Sequence, residues 1–388
     1  MGVVHCLTAL VRDKTFLNLL DADKDVLSVT DGVVDLRTAT LRPRVRGDYL
    51  IYALSTPFDP EHPELHTIEK WMKDVTLSER LGRPEYLEFM QRLIGYSITG
   101  HTREEIIVMF IGNGANSKGV LHELLSDVLE SLYYAAPRSI IVQTARGGAG
   151  AASSDMAALN GKRIGAVDEM PDEPLNDTQF RLLAGGAGIP ARELYSAQAS
   201  FKNLCQIILN FNFPVQMRIT HATLRRIMAC PFDMQALPVV PMSGAALDPT
   251  NPRHILLDIK MKGNLSRAAF FSWAVAGAKK WYEEGLGPHP KCCADLRSHI
   301  MDDNADVGMW IAERCEVGEG LMASTKMAWN DFCASRPEGN NITNASFRVE
   351  MGRRGFHIAQ ATRTQLRDKR CCHGLKIAGH IYDQNAAV

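Results

Sequence analysis

The segment Gly112-Asn113-Gly114-Ala115-Asn116-Ser117-Lys118-Gly119 carries the residue types that hold a phosphate. Glycines let successive backbone N–H groups turn toward one anion. A helix that starts there adds its dipole, and a lysine at its first turn neutralises the β- and γ-phosphates. The common form is G-x-x-x-x-G-K-S/T. Here the spacing from Gly112 to Lys118 is kept, Ser117 stands where the last glycine is usual, and Gly119 stands where a hydroxyl usually ligates Mg²⁺. Such a loop needs a strand before it and a helix after it. The run Ile106 to Ile111 is continuously apolar, as a buried parallel strand is. Val120, Leu121, Leu124, Leu125, Val128 and Leu129 share one helical face. In that setting the phosphate-binding reading outweighs a plain connecting turn.

A second apolar run, Ile164 to Val167, ends in Asp168 and Glu169. Strands of a parallel sheet end together at the ligand crevice. Asp168 can hold Mg²⁺ through water, and Glu169 can polarise an attacking water. The run Ile207-Ile208-Leu209 ends in Asn210-Phe211-Asn212, a polar end suited to orienting a water beside a γ-phosphate. Leu224-Arg225-Arg226-Ile227 places two cations before another apolar run, suited to a transition-state contact. Alone, the acids read better as an ordinary strand-to-loop boundary, and it is their pairing with the loop that favours chemistry; the Asn and the Arg pair have the ordinary readings of a capping Asn and a solvated Arg pair.

The elements that position these residues follow from the same patterns. Buried-strand runs at 106–111, 140–142, 164–167 and 205–209 alternate with helical stretches, which predicts an α/β core with a parallel sheet. Before it, Val26 to Leu36 reads as a hairpin about Asp31-Gly32. Trp71, Val75, Leu81, Tyr86, Phe89, Met90 and Leu93 are spaced as amphipathic helices. Past residue 250 the pattern is helical, with one helix through Phe270 to Tyr282 and two more expected in 302–333. The predicted division is 1–95, 96–250 and 251–388. With 388 residues, 46% hydrophobic and 22% charged, the chain has the composition of a multi-domain globular protein. A net charge of −1 excludes a partner chosen by bulk charge, so any nucleic-acid contact must be local. Residues 346–376 hold eight Lys and Arg against two acids, which fits phosphate contacts and a solvated basic face equally. Nine cysteines without a C-x-x-C pair point to free thiols in a reducing, intracellular setting. No apolar run is long enough for a membrane span.

Taken in order, the motifs resemble those of superfamily 3 helicases, specifically the poxvirus-type primase–helicase NTPases of large DNA viruses and phages. The loop GNGANSKGVL resembles their Walker A loop. LIGYSITGHTREE resembles the lead-in, ALNGKRIGAVDEM the Walker B strand, FRLLAGGAGIPARELY the segment after it, and LRRIMACPF the arginine-finger segment. TDGVVDLRTATLRP resembles the small domain that precedes the helicase core.

The resemblance spans about residues 20 to 375 and implies a P-loop NTPase of AAA+-like superfamily 3 type. A small N-terminal α+β domain would precede it and a helical, winged-helix-like region would follow. It implies ATP and Mg²⁺ as cofactors, with residues Gly112, Asn113, Gly114, Ala115, Asn116, Ser117, Lys118 and Gly119 around the phosphates and Asp168 at the metal. Lys118, Asp168, Glu169, Asn212 (or Asn210) and Arg226 (or Arg225) would be catalytic, the arginine acting on a neighbour's ATP. Members are ring hexamers on single-stranded DNA, so Arg192 and Lys202, which flank the expected pore hairpin, would contact DNA. Primase or other replication proteins would be partners, no membrane is expected, and the place of action would be host cytoplasm or nucleus at sites of viral DNA replication. The atypical loop keeps two further readings open: an NTPase for packaging or remodelling, and a catalytically weakened DNA-binding ring subunit.

Overall fold

The computed structural model describes residues 16, 19–142, 151–170, 175–185, 188–191, 199–212, 215, 217, 221–237, 248, 250–256, 263–304, 306–335, 344–356, 358–360 and 370–378. The chain forms two compact units, Met1–Ser298 and His299–Val388.

The first unit opens with an antiparallel meander of β1 (Val26–Val29), β2 (Gly32–Asp35) and β3 (Thr40–Arg42). The turn between the first two is Thr30-Asp31, one residue earlier than the Asp31-Gly32 pair expected from the sequence, because Gly32 already pairs with Val29 in the ladder; a Cβ on Gly32 would strike the Arg42 carbonyl oxygen. Two helices follow, α1 (Leu65–Thr76) and α2 (Pro84–Ser97). Ile68, Trp71 and Val75 of α1 and Tyr86, Phe89 and Leu93 of α2 are buried. Leu81 does not share that face: it falls in the turn between the helices and is exposed.

Next come β4 (Ile107–Ile111), α3 (Lys118–Leu129), β5 (Tyr133–Ala135), α4 (Ala151–Ala157), β6 (Ile164–Val167) and α5 (Asp177–Ala184). A hairpin of β7 (Gly188–Ala191) and β8 (Ala199–Lys202) precedes β9 (Gln206–Phe211), α6 (His221–Leu224) and β10 (Ile227–Pro231). The five-stranded sheet has the order β10-β4-β9-β6-β5 and is parallel throughout. Its central strands are the apolar runs read from the sequence. Its outer strand is not. The run 140–142 forms a 3-10 turn at Arg138–Ile140 and one bridge at Val142, while the edge is Tyr133–Ala135. An edge strand has one paired side and needs no continuous apolar run, so its signal is weak.

Short strands β11 (Gln235–Leu237) and β12 (His254–Leu256) pair in parallel. The long helix α7 (Arg267–Glu284) then returns to pack against α2. Gly95 and Gly277 make this crossing close: a Cβ on Gly95 would strike the Ala278 backbone, and one on Gly277 the Gln91 carbonyl. One continuous apolar core joins β1, β2, α1, α2, α7 and one face of the parallel sheet. A buried cation ties the meander to that sheet. Arg163, just before β6, donates to the carbonyls of Lys24 and Asp23 at 3.2 Å each, and to those of Val26 and Thr99. Helix α8 (Lys291–Asn304) spans the boundary between the units.

The second unit contains α9 (Asp306–Arg314), β13 (Cys315–Ser324), α10 (Thr325–Ser335), α11 (Asn344–Arg353), β14 (Ile358–Gln360) and β15 (Arg370–Ile377). Its antiparallel sheet has the order β13-β15-β14. Trp310, Phe332 and Phe347 pack ring to ring at its core. The two helices expected within 302–333 are α9 and α10, but a ten-residue strand separates them. That strand is mostly exposed and pairs with residues some fifty positions away, so its stabilising partner is absent from its local sequence. Cys371 and Cys372 are buried and belong to no disulfide, and the described residues contain no cluster of metal-ligating side chains. Of the basic residues near the end, Arg354 pairs with Glu350 and Lys376 with Glu316. No helix among the described residues is long and apolar enough to cross a membrane.

Candidate functional site

The loop after β4 is held at both ends by backbone contacts. Gly112 N–H donates to Phe211 O at 3.1 Å, and Ala236 N–H to Ala115 O at 2.6 Å. The buried Asn116 donates from Nδ2 to Phe232 O at 3.1 Å. Phe232 O sits so close to Gly112 that a Cβ there would strike it, so the glycine at this position is required sterically. Ala115, Ser117 and Gly114 have φ of 48°, 65° and 86°, the left-handed region that favours glycine. Two of these three residues carry a Cβ.

Helix α3 begins at Lys118 immediately after this turn. The Lys118 side chain folds back over the loop. Its Nζ donates to Gly112 O at 2.5 Å, Phe211 O at 2.9 Å and Asn212 Oδ1 at 2.9 Å. The residue is only 6% exposed. Among the described residues no carboxylate pairs with it, and burial pulls its ammonium down to about 8. A cation held by neutral oxygens alone is electrostatically unsatisfied, and an anion arriving at it would be strongly attracted.

The same residues line a cavity of about 570 Å³. Loop residues 114–119 form one wall, and Asp168, Glu169, Asn210 and Asn212 form the other. Both acids stand just past the end of β6 and are exposed to the cavity mouth. Strand β9 lies between β4 and β6, which brings the asparagines between the lysine and the acids. The parallel register explains this convergence: Ile111 pairs with Phe211, and Val167 with Leu209, so the three strands end at one level. A second cavity, of about 440 Å³, opens on the far side of the loop against Phe232, Asp233, Gln235, Asn251 and Arg253.

Two residues of this site carry no motif in the sequence. His122 is one turn past Lys118 on α3, and Tyr133 is the first residue of the edge strand β5. His122 is buried, with Nε2 3.0 Å from Asn210 Oδ1 and Nδ1 3.0 Å from the Tyr133 hydroxyl. Burial lowers its proton affinity, while the nearby Asp168 opposes that. Burial raises the Tyr133 phenol, and Asp168 adds to the effect. The helical i+4 spacing from the lysine was the one available signal for His122.

Arg225 and Arg226 do not join the cavity. They precede β10, at the opposite end of the sheet from the loop. Both bond to Glu105, at 3.2 and 3.3 Å, and Arg226 also donates to Ala222 O at 2.8 Å. Arg226 is largely covered, whereas Arg225 is exposed. Lys202 ends β8, paired with Gly188 in the hairpin. Arg192 lies outside the described residues.

Comparison with known proteins bears on this arrangement. The D5 N terminal like family matches residues 2–77. The chain is 25% identical over 239 residues to putative primase C962R of African swine fever virus, which covers 58% of this chain and 24% of that protein. It is 26% identical over 230 residues to putative helicase 184R of Invertebrate iridescent virus 6, covering 55% and 23%. The chain is a relative of the viral primase–helicases. The matched region spans about a quarter of the length of these curated relatives. Among solved structures, the C terminal region of NrS-1 aligns with a TM-score of 0.45 at 12% identity, over 84% of this chain and 79% of that one.

Proposed function

We propose that this chain is an ATP-hydrolysing helicase core of the superfamily 3 type, acting in the replication of a large DNA virus. The observation that carries the reading is Lys118, a buried ammonium whose partners among the described residues are all neutral oxygens, at the wall of a cavity faced by two carboxylates. The similarity to proteins named primase and helicase supports it.

In this reading the triphosphate lies along residues 112–119, with backbone N–H groups and the start of α3 facing it. Lys118 exchanges a carbonyl partner for phosphate oxygens. The base and ribose take the second cavity, across the loop. Asp168, exposed and outside any ready-made cage of ligands among the described residues, suits a Mg²⁺ held mainly by phosphate and water. The ion would neutralise charge between the phosphates. Glu169 accepts a proton from the attacking water while the water oxygen bonds to the terminal phosphorus. The bond to the bridging oxygen breaks, leaving ADP and inorganic phosphate. Arg226 or Arg225 cannot serve the loop of its own chain from the opposite end of the sheet, which fits action on a neighbour in a ring. Single-stranded DNA would pass through that ring, near Arg192 and Lys202. The division 1–95, 96–250 and 251–388, with a winged-helix-like last part, belongs to the same proposal.

A weakened enzyme is the second reading. It is favoured by Ser117 at a left-handed φ and by Gly119, which has no hydroxyl for the metal. One experiment separates the two: ATP hydrolysis with and without single-stranded DNA, alongside the mass in solution. DNA-stimulated hydrolysis by an oligomer supports the motor. An oligomer that binds DNA with no hydrolysis supports the scaffold. A chain that neither hydrolyses nor binds ATP overturns the proposal.

A further inference from the structure

His122 occupies the wall of the phosphate cavity without a role in the reaction described above. It is 3% exposed, so its contacts are fixed by packing and not by solvent. The Asn210 oxygen can only accept, so His122 Nε2 carries the proton in that bond. On the other side of the ring, Nδ1 lies 3.0 Å from the Tyr133 hydroxyl and 3.6 Å from Asp168 Oδ1.

The consequence falls on Asn210. With its oxygen turned back to the histidine, its amide nitrogen is the end left for the cavity that Asn210 lines. Asn210 is 4% exposed as a residue, and among the described residues its Nδ2 has no protein partner and is not sealed off from the cavity. A donor that opens on a cavity can meet an acceptor there. Asn212 is differently placed, since its oxygen is already bonded to Lys118.

We propose that His122 is a positioning residue that fixes the Asn210 amide with its N–H donors toward the terminal phosphate. Asn210, and not Asn212, is then the side chain that tells a nucleoside triphosphate from a diphosphate. This inference rests on the phosphate-loop reading of the cavity. A fixed donor aimed at developing charge needs no reorganisation during the reaction, which is where such groups gain their effect.

The test uses the full chain and two probes, ADP and ATPγS, with kcat measured on ATP. His122→Leu removes the donor to Asn210, and His122→Gln keeps an N–H at about the same place. Removing the positioned donor should lower kcat roughly 10–100-fold. ADP affinity should stay within about twofold, while the preference for ATPγS over ADP is lost. His122→Gln should recover most of both. Adding Asn210→Ala to His122→Leu should cost little beyond Asn210→Ala alone, because the two act as one unit. The inference is overturned if His122→Leu keeps wild-type discrimination and kcat, if ADP and ATPγS affinities fall together in both His122 variants, or if the double variant is additive. The underlying reading has its own control. Wild type that binds neither probe, or Lys118→Ala that binds both normally, overturns the phosphate loop and this inference with it. Normal wild-type binding abolished by Lys118→Ala, with an inert His122→Leu, overturns His122 alone.

Discussion

Lys118 Nζ and Asn212 Oδ1 lie 2.9 Å apart, and this bond joins the first residue of α3 to the residue after β9. The other two acceptors of the ammonium are backbone carbonyls that already hold a backbone N–H each. Gly114 N–H donates to Gly112 O at 2.9 Å, and Gly112 N–H to Phe211 O at 3.1 Å. Removing the ammonium therefore orphans neither carbonyl.

From this follows an expectation about Lys118→Met. The nucleotide-free protein should be more stable by about 1–2 kcal/mol, since a buried cation without a counter-charge is replaced by an apolar chain of similar length. Nucleotide binding should be lost at the same time. Thermal melts with and without ADP check both halves, and a variant that melts well below wild type without nucleotide contradicts the first.

The proton on Lys118 gives a pH dependence. Its folded value is about 8 against 10.5 when unperturbed. Between those values the unfolded chain holds a proton that the folded chain has released, so this group makes stability rise with pH across that window. Below about 8 both states hold the proton and the burial penalty is felt in full. Phosphate binding favours the charged form. Nucleotide binding at about pH 9 should therefore take up close to one proton, and at about pH 7 almost none. Calorimetry in two buffers of different ionisation enthalpy measures the uptake. Equal uptake at the two pH values would falsify the assignment of this proton to Lys118.

Ser117 and Gly119 stand in each other's usual places. Ser117 has φ 65°, and left-handed backbone at a residue with a Cβ costs roughly 1 kcal/mol relative to glycine. Gly119 lies inside α3, and nothing lies within 4 Å of a Cβ built there. Exchanging them, Ser117→Gly with Gly119→Ser, should stabilise the fold by about 1–2 kcal/mol. It should also raise ATP turnover several-fold and lower the Mg²⁺ needed for half-maximal rate. Denaturant melts and a Mg²⁺ titration of hydrolysis are the measurements, and unchanged Mg²⁺ dependence would count against a missing hydroxyl ligand.

The two arginines can be told apart by mixing subunits. Each of Arg225→Ala and Arg226→Ala is combined in varied ratio with Glu169→Gln. The arginine that reaches a neighbour should lose about 10³-fold or more alone. It should regain part of the activity in the mixture, where some interfaces pair an intact arginine with an intact acid. The exposure of Arg225 and the covering of Arg226 make Arg225 the better candidate to reach outward, contrary to the preference drawn from the motif. Recovery with Arg226→Ala only would reverse that preference.

The loop, the acid-bearing strand and the asparagine-bearing strand were all legible in the sequence. Each is a short string whose apolar run and polar ending are local. What sequence could not show depended on distant partners. Tyr133 is half-exposed on an edge strand, so nothing in its neighbourhood marks it as a wall of the cavity. His122 is one polar residue on an otherwise apolar face, and only the contact with Asn210 gives it meaning. The β13 strand looked helical because its pairing partner, β15, lies far along the chain. The Arg225–Glu105 and Arg226–Glu105 contacts join residues more than a hundred positions apart.

Arg163 and Asp168 bracket one strand. The arginine's guanidinium grips the carbonyls of residues 23, 24, 26 and 99, and five residues later the chain delivers the first of the acids to the cavity. A strand of this length is a rod of about 13 Å that does not stretch. The meander and the acids are thus mechanically in series. A pull on residues 23–26 is a pull on β6, and it arrives at Asp168 and Glu169 without passing through the loop or α3.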